Sequence, residues 1–480
     1  MKVVFADFRI EKYGGIVEYV CAMCKAFRDL GCDVDIVQFH PNSMSQSAYD
    51  KKIREIESGE FQKKLKPASH AFGFERDNVT GYWKNNYEGF FLPPSNRINV
   101  FSKDALSVWN NYVKDVDVIL WNFLPTKNKS WDKNGEGGFG FWWKFLDLPS
   151  SIKQVFLVHD AYFNVRASQM SALRDKILFL GCAHIAAYKC CEEFKIPRLL
   201  LLNPRYIEDK KTTYCTSKSK RVVDFFAAHM FKSMKHMEDL VKCIPYLDRK
   251  YDVMVAGGGI EWCYMTSDKV SSKPRYVCSK KTDPDLPKEL DGKKIPIWQR
   301  AVEYGMEYVG QISGEEVFTV LKNCKFAIDP SWSEHYAQYC RTHINGFIIE
   351  AMMYGAYPVL RDYRGLAKGC ENVYDPLFEN VKAIIIPWDA TPKQFAELLK
   401  KAMCMSEEQY LEDTRHNFEL VKSIFNANGN AKEIIRLCNG GRKLVAKELE
   451  CGEDSKTVKK ITEETMQYFG VQLPIKWTTY

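Results

Sequence analysis

From Lys2 onward the chain alternates short, nearly continuous apolar runs with longer stretches whose apolar positions recur every three or four residues. The run KVVFADF (2–8) reads as a buried strand, and IVEYVCAMCKAFRDLG (16–31) carries helical spacing that stops at a glycine. CDVDIVQF (32–39) is the next strand, followed by strands at 116–123, 153–160, 177–181 and 198–203. A polar segment, IEDKKTTYCTSKSKR (207–221), reads as an interdomain linker. Beyond it the alternation resumes, with strands at 222–228, 251–259, 307–312, 325–331, 356–362 and 383–388, and a last helix at roughly 455–469. Strands separated by helices imply parallel, doubly wound sheets. The expected architecture is therefore α/β, with two Rossmann-like domains facing a central cleft. They span 1–206 and 222–450, and a C-terminal helix and tail (451–480) can cross back to the first. In open α/β sheets ligands bind beyond the carboxyl ends of the strands.

Two stretches interrupt the first half. Residues 41–100 are rich in Lys, Ser, Asn and aromatics, and KNKSWDKNGEGGFGFWW (127–143) mixes Lys, Gly and Trp without periodicity. A Lys/Pro-rich insertion fills 268–300. A chain of 480 residues has room for two or three domains, and 46% hydrophobic with 27% charged residues is the composition of a globular protein. The net charge of +7 admits contact with phosphates or anionic lipid without requiring either. Cys21 and Cys24 form a CxxC inside a helical pattern with no second pair, so free thiols in a reducing compartment are expected rather than zinc. MKVVFADFRI is too brief for a signal peptide, and no run is long enough to span a bilayer. A soluble, cytoplasmic, monomeric protein is the expectation.

Three places carry candidate chemistry. Gly14 and Gly15 join the first strand to the first helix, where backbone N–H groups can approach a phosphate. A tight turn without a ligand fits the same residues. The pair His159-Asp160 closes an apolar strand, at the end where a cleft residue belongs. THINGFIIEAMMYGAYPVLRD (342–362) is almost wholly apolar at its centre, yet holds Glu350. Propensity does not require a carboxylate there.

The order of motifs in the second half resembles the donor-binding half of retaining GT-B glycosyltransferases of the glycogen-synthase-like superfamily. The matching residues are Gly310, Glu316, Val317, Leu321, Cys324, Ile328, Pro330 and Ser331, then Glu350, Ala351, Met352, Gly355, Pro358 and Val359. The resemblance implies that the Glu350 carboxylate accepts both ribose hydroxyls of a nucleotide. Backbone N–H groups before it, among Thr342, His343, Asn345 and Gly346, would hold the diphosphate. The family usually has a glutamate where Thr342 stands, and His343, Asn345 and Glu334 are candidates to replace it. After the first strand of the second domain the family places a basic pair, often GR…KG. Here Lys235 fits the lysine, while the arginine is absent and His229 or Lys232 lies near its place.

The first half is most similar to a narrower group, the T-even bacteriophage DNA α-glucosyltransferases. The shared features are Asn122, Pro125 and Thr126 after one strand, Lys144, Leu146 and Asp147 in a short helix, His159-Asp160, and Arg166 downstream. His159 and Asp160 are then the catalytic candidates, and Asn122, Arg166, Trp131 and Lys144 the acceptor contacts. The resemblance implies a UDP-sugar as co-substrate with no further cofactor, no metal, double-stranded DNA with modified bases as partner, and the host-cell cytoplasm as location. A glycan or lipid-linked acceptor, for which the helix KKIREIESGEFQKKLK (51–66) is a possible anchor, and a non-catalytic binding protein are the competing readings.

Overall fold

Burial on both faces is what the strand sequences demand, and each of the two sheets meets it by being wholly parallel. The structure is a computed structural model. It describes residues 1–7, 15–40, 97–99, 104–122, 144–159, 174–183, 191, 196–207, 214–229, 235–257, 278–293, 295, 297–310, 312, 314–331, 345–362 and 380–440.

In the first unit, β1 (Lys2–Asp7), α1 (Gly15–Asp29) and β2 (Asp33–His40) lead to a short edge strand, β3 (Arg97–Asn99), and to α2 (Ala105–Tyr112). There follow β4 (Val118–Trp121), β5 (Lys153–Val158), β6 (Phe179–Cys182) and β7 (Arg198–Leu200). The seven-stranded order is β3-β2-β1-β4-β5-β6-β7, so the strand order reverses between β1 and β4. β3 falls inside the stretch that sequence reading treats as irregular, because three residues carry no periodicity to detect. Its register with β2 (Ile98 beside Phe39) places it. A cluster of aromatic side chains forms part of the core here. Phe39, Trp109, Trp121 and Phe145 interlock, with ring centroids 5.0 Å (Phe39–Trp109) and 5.2 Å (Phe39–Phe145) apart. Both buried indoles are satisfied, Trp109 Nε1 donating to the Phe145 carbonyl (2.9 Å) and Trp121 Nε1 to Gln154 Oε1 (3.0 Å). Cys21 and Cys24 are buried in α1, and burial pushes the Cys24 thiol well up, which favours the thiol over the thiolate a metal needs.

The second unit comprises β8 (Val223–Ala228), α3 (Met237–Cys243), β9 (Val253–Ala256), α4 (Ile297–Glu303), β10 (Met306–Gly310), α5 (Gly314–Asn323) and β11 (Cys324–Asp329). After these come α6 (Gly346–Met353), β12 (Tyr357–Asp362), β13 (Ile384–Pro387), α7 (Pro392–Met403) and α8 (Glu407–Ile424). Its order, β10-β9-β8-β11-β12-β13, reverses between β8 and β11. Every segment read as a strand from apolar runs is present, with ends shifted by a few residues.

The described residues up to 207 and those from Ser423 onward form one unit, and those from 214 to 422 the other. The chain therefore rejoins the first unit sooner than the expected boundary at 450. α9 (Ala427–Cys438) packs on α1, and Asn430 Nδ2 donates to the Leu202 carbonyl (3.1 Å). The Arg205 N–H donates to the Phe425 carbonyl (2.7 Å) and the Ala427 N–H to the Arg205 carbonyl (3.2 Å), a two-bond clasp that the amphipathic pattern of α9 does not encode. The tail helix expected at 455–469 lies outside the described residues.

Candidate functional site

Both strand-order reversals gather polar side chains at the carboxyl ends of their strands, where such a fold binds ligands. In the first unit Asn122 follows β4, its N–H bonded to the Ala6 carbonyl of β1 (2.9 Å). His159 follows β5, and its Nε2 lies 2.5 Å from Asn122 Oδ1. The ring is half-buried and meets Tyr19 of α1 edge-on, with centroids 4.4 Å apart. The structure thus joins two residues 37 positions apart that sequence reading assigned to different roles. Lys144 is not brought to this point. Its segment is tied to the amino-terminal half of β5, where Gln154 Nε2 donates to the Leu146 carbonyl (3.0 Å). That is about 13 Å of strand from the carboxyl end. Asp147 of the same segment pairs on the surface with Lys176 (2.6 Å). Asp160, Arg166, Trp131 and Gly14 lie outside the described residues, and Gly15 is the first residue of α1.

The second unit has the denser cluster. His229 follows β8 and Asp329 ends β11, on either side of the reversal. α6 begins after Asn345, which caps it in extended conformation, its Oδ1 accepting from the Ile348 N–H (3.2 Å). The Nδ2 of the same cap donates to Asp329 Oδ2. Asp329 Oδ1 accepts from the Ser331 N–H (3.1 Å) and stands 3.5 Å from His229 Nε2. At 3% exposed, the Asp329 carboxylate is stabilised by these donors. It was missed in the sequence although it lies inside a matched motif, between Ile328 and Pro330. The usable signal was a carboxylate ending an apolar strand. Replacing Asn345 by Ala should cost about 2 to 4 kcal/mol, about 1 from the lost cap and the rest from the hydrogen bond taken from the buried Asp329 carboxylate. Urea unfolding measures this, and a variant as stable as the parent would refute the capping role.

α6 is apolar nearly all round and almost wholly buried, as such a pattern requires. Glu350 sits in its second turn, 8% exposed. The motif glycine that follows, Gly355, has a structural cause. Its φ is +73°, and a Cβ there would lie 2.6 Å from Arg221 Nη2 and 2.8 Å from the Tyr214 carbonyl oxygen. Arg221 itself donates to the carbonyls of Leu321 (2.9 Å), Cys324 (2.8 Å), Tyr214 (2.8 Å) and Tyr354 (3.1 Å), which leaves no space for a side chain. Thr342, His343, Glu334 and Lys232 lie outside the described residues.

Lys235 is half-buried beside the amino end of α3, close enough for its charge to act on His229. The residue after it, where the family has glycine, is His236. It keeps a glycine-like backbone, with φ +46°. Its Nδ1 lies 3.5 Å from Asp239 Oδ2 and 3.8 Å from Glu238 Oε1. These three side chains bring possible ligand atoms within 4.8 Å of one another. The Asp239 carboxylate is already bonded by Arg361 Nη1 (2.5 Å) and approached by Lys242 (4.0 Å), so the donor set is that of an ion-pair cluster. Burial alone would raise the Asp239 carboxyl, but the His236 hydrogen bond and the Arg361 charge hold it at about 2. A carboxyl lower in the folded than in the unfolded chain stabilises above its ordinary pKa, and the contribution is lost as pH falls from about 4 through about 2. Wild type should therefore lose about 2 kcal/mol over that interval relative to Asp239→Asn. Urea midpoints at several acidic pH values test it, and parallel curves for the two proteins would refute it.

No family model matches the chain, and no curated protein matches it. Solved structures do. Anabaena HepE in complex with UDP superposes with a TM-score of 0.53 at 9% identity, covering 92% of this chain and 100% of that one. An alpha-glucosyltransferase in complex with UDP and a 13-mer DNA containing an HMU base gives 0.53 at 12% identity, over 92% and 99%. An S. aureus TarM variant in complex with fondaparinux, α-GlcNAc-glycerol and UDP gives 0.51 at 12%, over 92% and 100%. At such identities the likeness is one of fold: this chain has the α/β fold of two Rossmann-like units found in GT-B glycosyltransferases.

Proposed function

We propose that the protein is a retaining glycosyltransferase that moves a sugar from a UDP-sugar to hydroxymethylated cytosine in DNA. The observation that carries the donor half is the cluster at the second reversal. A capped, buried helix bearing Glu350 sits at the carboxyl edge of a Rossmann-like sheet, in a fold whose solved relatives hold UDP. Glu350 accepts the ribose hydroxyls, and Lys235 steadies the diphosphate as a point charge. In the reaction the bond from the anomeric carbon to the β-phosphate oxygen breaks on the face where the acceptor oxygen bonds. The acceptor proton passes to the departing phosphate. The protein's share is positioning, and stabilisation of the charge that develops on the leaving group.

On the acceptor side, the Asn122 oxygen can only accept, so it fixes the proton of a neutral His159 on Nε2 and turns Nδ1 into an acceptor for a hydroxyl. DNA as acceptor is supported by the Asn122 and His159 motifs and by the solved relative that holds DNA. A target base in a duplex must be extruded, at about a few kcal/mol. One observation favours a second reading, a glycan acceptor: the TarM complex contains fondaparinux.

UDP release decides between them. The protein is incubated with UDP-sugars and with hydroxymethylated DNA, unmodified DNA, oligosaccharide or no acceptor. Release that depends on the hydroxymethylated base is expected. Release indifferent to DNA but stimulated by oligosaccharide would overturn the DNA reading, and no release with any acceptor would leave a binding protein.

A further inference from the structure

His229, like Lys232, lies near the place where the resemblance puts an arginine, but its surroundings are those of an uncharged ring. The residue is 7% exposed, and its ring rests edge-on against Phe347 in the first turn of α6, with centroids 4.8 Å apart. Nε2 lies 3.2 Å from the Ile328 carbonyl oxygen and 3.5 Å from Asp329 Oδ1. Both neighbours are acceptors, so Nε2 carries the proton and Nδ1 the lone pair. The charged groups acting on the ring are Asp329, at the end of β11, and Lys235, from the turn before α3. They have opposite sign, and burial dominates both, holding the imidazole down at about 4. Asp329 makes a second connection. Its Oδ1 accepts from the Ser331 N–H, and the Ser331 hydroxyl is buried with no hydrogen-bond partner among the described residues. Buried hydroxyls are rarely left so. One carboxylate therefore organises a neutral acceptor and an unpartnered hydroxyl at the carboxyl edge of the second sheet.

We infer that His229 and Ser331 form a neutral pair that reads a hydroxyl of the nucleotide-sugar, His229 Nδ1 accepting and Ser331 Oγ donating, and that this position offers no positive charge to the diphosphate. The inference rests on the nucleotide-sugar reading and departs from the arginine-like part expected of His229. Its consequence is that the diphosphate charge falls to lysines of the same segment, Lys235 and Lys232, rather than to His229. His229 would instead contribute to recognition of the donor's sugar or ribose.

Calorimetry with UDP and UDP-glucose as probes tests the binding, and nitrogen chemical shifts of labelled histidine in the full chain test the tautomer. The shifts should report a neutral Nε2–H ring down to pH 5.5. His229→Asn, which keeps an acceptor near Nδ1, should bind within threefold of the parent. His229→Phe, which keeps the packing but no acceptor, and Ser331→Ala should each weaken binding about tenfold. Loss confined to UDP-glucose assigns the pair to the sugar, and equal loss with UDP assigns it to the ribose. A protonated His229 above pH 6, or parent-like binding by both His229→Phe and Ser331→Ala, overturns the inference. The spectra of the wild type and the Ser331 variant keep it testable should the phenylalanine variant fail to fold. A wild type that binds neither probe defeats the nucleotide-sugar reading itself and takes the inference with it, a different result from parent-like variants of a protein that binds.

Discussion

Gly257→Ala should destabilise the second unit by about 4 kcal/mol or more, the range reserved for a few severe defects. Gly257 follows β9 with φ +130°, where side chains are seldom accommodated. A Cβ at this position would fall 1.9 Å from the His229 carbonyl oxygen and 2.9 Å from the His229 carbonyl carbon, both backbone atoms. Neither side can retreat cheaply. The His229 N–H is bonded to the Ala256 carbonyl (3.2 Å), and the Gly257 N–H to the Gly310 carbonyl (2.8 Å). Tyr308 Oη also donates to the Gly257 carbonyl (2.6 Å). Relief of the clash must break the junction of β8, β9 and β10, and with it the seat of His229. Gly292→Ala is the control. That glycine also has positive φ (+72°), but a Cβ there meets nothing within 4 Å, so only the backbone cost of about 1 kcal/mol applies. Urea unfolding of the two variants separates the effects, and equal losses would show that conformation rather than contact sets the cost at Gly257.

Glu350→Ala should raise the donor KM about 100-fold, with a smaller change in kcat. A buried carboxylate that accepts two hydroxyls makes charge-assisted bonds worth about 1.5 to 3 kcal/mol each, less what the hydroxyls recover from water. These bonds form in the ground state as well as the transition state, so their loss appears mainly as weakened binding. Glu350→Gln, which keeps shape and one acceptor, should fall between. An unchanged KM for UDP-glucose in either variant would refute the ribose role, whatever the acceptor proves to be.

The fold was legible because its signals are local. Strands such as KVVFAD and CKFAID are buried on both faces, so their apolar runs are nearly continuous, and a glycine ends the helix between β1 and β2. β3 was not legible, since a three-residue edge strand has no period and exists through its pairing with β2. The return of the chain at Ser423 was equally hidden. It depends on carbonyls of Leu202 and Arg205, more than two hundred residues away, which accept from Asn430 and Ala427.

The candidate site divides in the same way. Glu350 stood out because a carboxylate inside an apolar helix contradicts its surroundings, and Asn345 and Gly355 belong to the same short segment. The sequence by itself therefore determined two parallel α/β units, the helix that bears Glu350 and the turn that ends it, since each follows from residues within a few turns of one another. Only the tertiary structure decided that Asp329 links His229, Ser331 and the cap of α6, that burial disfavours the charged form of His229, that Asn122 faces His159, and that the segment of Lys144 is tied to the other end of β5. Those properties come from burial and from neighbours on other strands. A residue's type does not carry them, because a histidine's charge and tautomer are set by which acceptors the fold places beside its ring.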